Sequence, residues 1–271
     1  MGICFLFYGC AASGPVSPHE KLQGSVWIQK SGEYSAVTIQ TFNMAEKNLD
    51  QALNDPTWTA VLEQEADLPN EKLKPAVILD LDETVLDNSA FNAYLIENNM
   101  EHNPKIWGQW VMAAEARLVP GAKEFLQVLE NKNIKIFYVT NRNKEGEEFT
   151  RKNLEALGLP LYEDEDNVLT RYERKEWGSD KVTRRNFLAE KYRILFLVGD
   201  SLGDFTSTSA LSLQEQREKS RQFKTMWSSK WYILPNPSYG RWEAPFRKPA
   251  GNKNRQDILN NKMKSLDRWD F

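Results

Sequence analysis

The chain has 271 residues, 41% hydrophobic and 27% charged, with a formal net charge of -3. That is an ordinary globular balance, so a packed core is expected and wholesale disorder is excluded; the length allows one large domain, or a core plus a smaller one. So small a net charge gives no footprint for a nucleic-acid polymer, and a phosphate-bearing ligand must draw on local positive charge, from a metal or a few basic side chains.

The first stretch, MGICFLFYGCAASG, is a short apolar run ending in Gly9-Cys10-Ala11-Ala12-Ser13. It is too short to span a bilayer. A small residue before a cysteine resembles the end of a bacterial lipoprotein signal, although no basic stretch precedes it and Tyr8 is bulky for its place. The expectation is a signal remnant and tether over 1–20, a start that lies upstream, and a lipid on Cys10 that holds the protein at the bacterial cell envelope, at the outer membrane or in the periplasm. The alternative is an apolar start with no targeting role. Cys4 and Cys10 are the only cysteines, so the folded part carries no disulfide framework.

Residues 15–33 are polar and turn-rich, a tether. Over 35–53, Val37, Ile39, Phe42, Ala45, Leu49 and Leu53 recur mostly at three or four residues, the mark of an amphipathic helix. Residues 21–74 are assigned to an N-terminal helical segment that joins the smaller, mostly helical domain, with a loop at 67–75. Apolar runs of strand length follow at 76–81, 134–139, 194–198 and 231–234. Helical stretches lie between them at 121–131, 145–157 and 183–191. This alternation predicts βαβ units and a parallel sheet flanked by helices over 75–240. The segment 87–119 interrupts it and holds Trp107 and Trp110 three apart. Its place suits a cap over a site, its tryptophans serving as cap wall or as core. Glu163-Asp164-Glu165-Asp166 reads as a solvated loop. The tail, 241–271, ends in an amphipathic helix at 257–269 expected to pack on the core. His19 and His102 read as solvated surface residues.

Ligands of such sheets bind beyond the carboxyl ends of the strands. The first run ends in Asp80 and Asp82, the second in Thr140-Asn141-Arg142, the third in Gly199-Asp200-Ser201-Leu202-Gly203-Asp204, and the fourth in a Pro/Gly-rich loop with Tyr239. On an extended backbone, period two sends Asp80 and Asp82 to the same side. Carboxylates that close repel unless a cation joins them or one holds a proton. A hard ion such as Mg²⁺ takes oxygen ligands and leaves room for a phosphate oxygen. Asp80 can then attack a phosphate monoester, Asp82 can move the proton of the leaving group, and Thr140, backbone N–H groups and a lysine can hold the transferring oxygens.

The ordered set DLDET, VTNR, a lysine and VGDSLGDF resembles the haloacid dehalogenase-like (HAD) phosphohydrolases. With RLVPGAKEFL, GSDKVTRR and YILPNPSYGRWE it is similar, more narrowly, to the class C bacterial acid phosphatases, which include outer-membrane lipoproteins with 5′-nucleotidase activity. The resemblance covers about residues 35 to 245 and implies a Rossmann-type HAD core with a helical cap, acting as a Mg²⁺-dependent phosphomonoesterase on small phosphates such as 5′-nucleotides. It implies Asp80 as nucleophile, Asp82 as acid/base and donor of a backbone carbonyl to the metal, and Thr140 and Asn141 at the phosphate. Lys181, preferred to Lys175 for its flanking residues, would clamp phosphate and nucleophile. Asp200 would hold Mg²⁺ and Asp204 a metal-bound water, the latter also reading as a cap before Phe205. Trp107 and Trp110 would wall the cap and Tyr239 would offer a nucleobase platform. A homodimer is compatible with the family. The competing expectation is a non-catalytic surface lipoprotein of the same fold that binds a small ligand.

Overall fold

A computed structural model describes residues 19–67, 72–247 and 255–269. Cys4, Cys10 and the lipid-anchor expectation lie outside the described residues. In chain order the elements are α1 (Leu22–Lys30), α2 (Gly32–Asn54), β1 (Lys74–Leu79), β2 (Leu86–Asp87), α3 (Ser89–Glu97), α4 (Pro104–Ala113), β3 (Arg117–Leu118), α5 (Ala122–Asn131) and β4 (Lys135–Asn143). Then follow α6 (Glu147–Ala156), β5 (Val168–Arg171), α7 (Val182–Ala189), β6 (Tyr192–Gly199), α8 (Leu213–Gln222), β7 (Trp231–Ile233), α9 (Ala244–Arg247) and α10 (Arg255–Lys264).

Five strands pair in the order β5-β4-β1-β6-β7, and every pair is parallel. Both faces of such a sheet are covered, so its strands read as apolar runs rather than alternating ones. Along β1, Val77 and Leu79 enter one core with Phe42, Leu49 and Phe125, while Ala76 and Ile78 enter the other with Phe137, Leu169 and Trp231. The sheet is therefore pinned from both sides with β1 at its centre, and the β1 end that carries the acids has little freedom to move.

The four expected strands are present. A fifth, β5, is added at the edge; it has only two apolar residues, Val168 and Leu169, and follows the acidic run, so no periodicity announced it. The expected tether at 15–33 is corrected, because α1 occupies much of it. One serine explains the join: Ser31 Oγ donates to the Trp27 carbonyl at 2.7 Å, ending α1, and accepts from the Tyr34 N–H at 3.1 Å, capping α2. In α2 the buried stripe is Tyr34, Thr38, Phe42, Ala45, Leu49 and Ala52; Val37 and Ile39 face outward, a rotation of the expected face. This helix packs on α5 and the sheet, with the Phe42 and Phe125 rings 5.6 Å apart, whereas α1 packs on α3. The tail also differs from expectation. Its helix stops at Lys264, Ile258 is its buried residue, and Trp269 is 80% exposed. No helix among the described residues is long and apolar enough to cross a membrane.

Candidate active site

The Asp80 N–H donates to the Val198 carbonyl at 2.9 Å, extending the β1–β6 ladder one residue past the strand. The chain then turns sharply: the Leu81 carbonyl accepts from the N–H groups of Thr84, Val85 and Leu86 at 3.2, 2.9 and 2.8 Å. Glu83 takes a left-handed backbone, φ 61°, that residues with a side chain rarely adopt. The turn keeps Asp80 and Asp82 on the wall of one cavity, as their spacing predicts.

Asp80, Asp200 and Asp204 each place a carboxylate oxygen within 4.8 Å of the others. Lys181, at the start of α7, is buried and donates to Asp80 and, at 2.6 Å, to Asp204. Thus the lysine chosen on its flanking residues reaches two strand ends at once. Asp204 is further fixed by the Ser201 N–H on Oδ2 at 2.9 Å, closing a capping box over the short turn Leu202–Asp204. Gly199 makes room for this: a Cβ there would lie 2.4 Å from Asp204 Oδ2. Asn236, in the loop after β7, donates to Asp200 Oδ2 at 2.8 Å.

Burial pushes the Asp80 carboxyl up to about 7 against the pull of Lys181, with the Asp204 and Asp82 charges adding to the rise. Burial, then the Asp80 and Asp204 charges, pushes Asp200 well above the carboxylate range. Burial lowers Lys181, but Asp204 and Asp80 outweigh it and hold the ammonium above its ordinary value. An acid whose folded pKa is raised binds more protons folded than unfolded between the two values, so stability falls as pH rises through that window. The metal-free protein is therefore expected to lose stability from about pH 4 to about pH 7, and Mg²⁺ should raise its melting temperature more at about pH 7.5 than at about pH 5. Thermal melts in EDTA and in excess Mg²⁺ check this; an equal rise at both pH values would contradict it.

Thr140 is fully buried at the β4 end, and its hydroxyl accepts from the Arg142 N–H at 3.1 Å. It does not line the cavity, whereas Asn141 and Arg142 do. Arg184 holds this strand end in place, donating to the Thr140 carbonyl, to Asn141 Oδ1 at 2.7 Å and to the Gly178 carbonyl at 2.9 Å. Arg142 was not assigned a role from sequence, yet it is buried and grips Asp82 Oδ1 through Nε at 3.0 Å and Nη2 at 2.8 Å. Asn88 donates to the same oxygen at 2.9 Å, and its own amide oxygen accepts from the Trp110 indole at 2.7 Å.

The cavity, about 500 Å³, opens above these acids. Phe91, His102, Trp107 and Tyr239 line it, and the Trp107 ring lies 5.1 Å from Phe91. Trp110 does not line it; it packs on the core and supports Asn88. His102 is exposed, as expected, and borders the cavity; His19 is buried with its Nε2 3.0 Å from the Met100 carbonyl, which corrects the expectation of a solvated residue there. Lys175 is not at the site, and Lys21 unexpectedly is.

The donor set of Asp80, Asp200 and Asp204 is all oxygen and anionic, with a neighbouring amide to orient one member and no soft ligand. That fits a hard divalent cation such as Mg²⁺. A parallel sheet with acids at the adjacent ends of β1 and β6 and a lysine bridging them defines the HAD-like α/β class. The chain belongs to subfamily IIIB of the HAD superfamily, the acid phosphatases, whose family profile matches residues 15–242. The class C acid phosphatase of Bacillus anthracis is similar over 92% of this chain and 98% of its own, with 31% identity and a TM-score of 0.79. The same enzyme with tungstate bound is similar at 30% identity and a TM-score of 0.78 over the same shares. The stem 31 kDa glycoprotein of Glycine max is 27% identical over 168 residues, which is 60% of this chain and 58% of that protein. The chain thus spans less than two thirds of that curated relative.

Proposed function

We propose that the protein is a divalent-metal-dependent phosphomonoesterase for small organic phosphates, 5′-nucleotides among them, working through an aspartyl-phosphate on Asp80. The observation that carries this is the buried Asp80 carboxylate, joined to Lys181 and set beside Asp200 and Asp204 on the wall of an open cavity. Tungstate bound to the Bacillus anthracis enzyme, a tetrahedral oxyanion like phosphate, supports a phosphate-handling function.

Asp80, Asp200 and Asp204 would hold Mg²⁺, which supplies positive charge that lets an anionic phosphate approach a carboxylate. Asp80 attacks phosphorus and the ester P–O bond breaks. The leaving alkoxide takes a proton from Asp82. Asp82, now a carboxylate, takes a proton from water as that water attacks the phosphoryl group, which frees Asp80 and releases phosphate. Lys181 and the donors at Asn141 face the phosphoryl oxygens, while Thr140 shapes that turn. Segment 86–118, based on the antiparallel β2–β3 ribbon, would act as the cap, and its aromatic wall suits a nucleobase.

Arg142 acts through Asp82. All three donors hold Oδ1, which leaves Oδ2 as the proton-carrying oxygen. Arg142→Leu is expected to slow hydrolysis of alkyl phosphates by about 10²-fold, and of p-nitrophenyl phosphate far less, because p-nitrophenolate leaves without a proton. Equal losses on both substrates would remove this role. The function itself is tested by turnover of p-nitrophenyl phosphate and a panel of mononucleotides and sugar phosphates, with EDTA and with Mg²⁺ restored. Metal-dependent release of phosphate is expected; no release from any of them with Mg²⁺ would overturn it.

A further inference from the structure

Lys21 is a buried cation on the cavity wall that no carboxylate of the described residues contacts. It precedes α1, is 4% exposed and lines the cavity from the N-terminal side. The carboxylates beside it are already answered: Glu20 and Glu243 are buried and pair with Lys262 at 2.7 and 2.5 Å and with Arg247 at 3.5 and 3.2 Å. No carboxylate oxygen of the described residues lies within 4.0 Å of the Lys21 ammonium. Its neighbours are the Ser238 carbonyl, at a long 3.5 Å, and one face of the Tyr239 ring, 4.8 Å from the centroid. An ammonium carries three N–H donors, so most of this one's capacity is unspent. Burial pushes its pKa below the ordinary lysine value against the pull of Glu243. A buried charge with no counter-ion costs stability, and such groups are kept where a ligand completes them.

The strongest fields on Lys21 come from Glu243, Arg247, Glu20 and Glu83 rather than from the four aspartates, so it belongs to a different part of the cavity from the reacting centre. His102 borders that part: burial lowers its pKa first, and Lys21 and Arg247 lower it further, which favours its neutral form. Because Lys21 covers one face of Tyr239, that face is not open to a stacked base.

We propose that Lys21 receives a second anionic group of the substrate, so that the preferred substrates are phosphomonoesters bearing a further phosphate or carboxylate away from the scissile phosphate. This rests on the phosphomonoesterase function above. The test uses the full chain and a series of straight-chain diol bisphosphates of increasing length, their ω-carboxyalkyl phosphate counterparts, and the alkyl monophosphates of matching length, which lack a second anionic group. For at least one spacing, kcat/KM for the substrate with a second anionic group is expected to exceed that of the plain monophosphate by about 10-fold or more, as a charge-assisted contact gives. The bisphosphate and carboxylate arms identify which anion the site takes. Lys21→Met should bring the ratio to near one, chiefly through KM, and Lys21→Arg should keep a preference. Since the ammonium is a buried cation without a counter-ion, Lys21→Met is expected to melt no lower than the parent. Ratios near one at every length, or a preference that survives Lys21→Met, would overturn the proposal. Calorimetric binding of the same compounds to Asp80→Asn protein reads the preference without turnover. An inactive parent, alongside tighter binding of the compounds with a second anionic group to Asp80→Asn protein, would therefore refute the phosphatase function and leave Lys21 its role.

Discussion

Asp80→Asn is expected to lower kcat for phosphomonoester hydrolysis by about 10⁴-fold or more, since a nucleophile that forms a covalent intermediate has no substitute in the site. The amide keeps the shape of the carboxylate but not its attacking oxygen anion. The loss should be chemical and not a failure to fold. Ionised Asp80 is a buried charge whose pKa stands near 7, so neutralising it removes a cost above that pH, and Lys181 keeps Asp204 as its partner. Melting of the variant at or above the parent's temperature, alongside the lost turnover, would bear this out. Undiminished hydrolysis by Asp80→Asn protein would end the mechanism.

Lys181→Met should damage both stability and catalysis. Removing it leaves the buried Asp80 and Asp204 carboxylates facing each other, with Asp200 close by. Breaking a buried ion pair by deleting one partner costs about 3–5 kcal/mol, because the remaining charge is uncompensated. Denaturant unfolding in EDTA should show a loss of that order. Excess Mg²⁺ should recover part of it, since a cation among the three carboxylates supplies what the ammonium supplied. Turnover should not recover with it; a loss of about 10²-fold or more is expected to persist, as for other charge donors to a transferring group. Unchanged unfolding in EDTA would show that the ion pairs are not a structural need.

How much of this was legible in the sequence follows from where each signal resides. The strands β1, β4, β6 and β7 are buried runs with abrupt polar ends, so both their existence and the chemistry at their tips could be read locally. The acids Asp80, Asp82, Asp200 and Asp204 meet because parallel strands bring all their carboxyl ends to one edge. Arg184 and Arg185 sit in a basic run that looks like a solvated helix face. They are buried because carbonyls of other loops and strands accept from them: Thr140 and Leu169 for the first, Gly203 and Asp204 for the second. Nothing local marks that. The grip of Arg142 on Asp82 spans 60 residues, and the contact of Lys21 with Ser238 spans 217. Lys21 lay in a stretch taken for a tether, and it meets a loop from far along the chain. Thr140 shows the converse: the position was legible, but the use of its hydroxyl within its own turn was not.

The central claim is that Asp80 carries the phosphoryl group during turnover. Acid quenching of the Mg²⁺-loaded enzyme during hydrolysis of a labelled phosphomonoester, followed by peptide mapping under acidic conditions, tests it most directly. Label on the peptide that contains Asp80, absent from Asp80→Asn protein and released by hydroxylamine as an acyl phosphate should be, is the predicted result. Brisk hydrolysis with label on a histidine or serine, or label retained in Asp80→Asn protein, would contradict it.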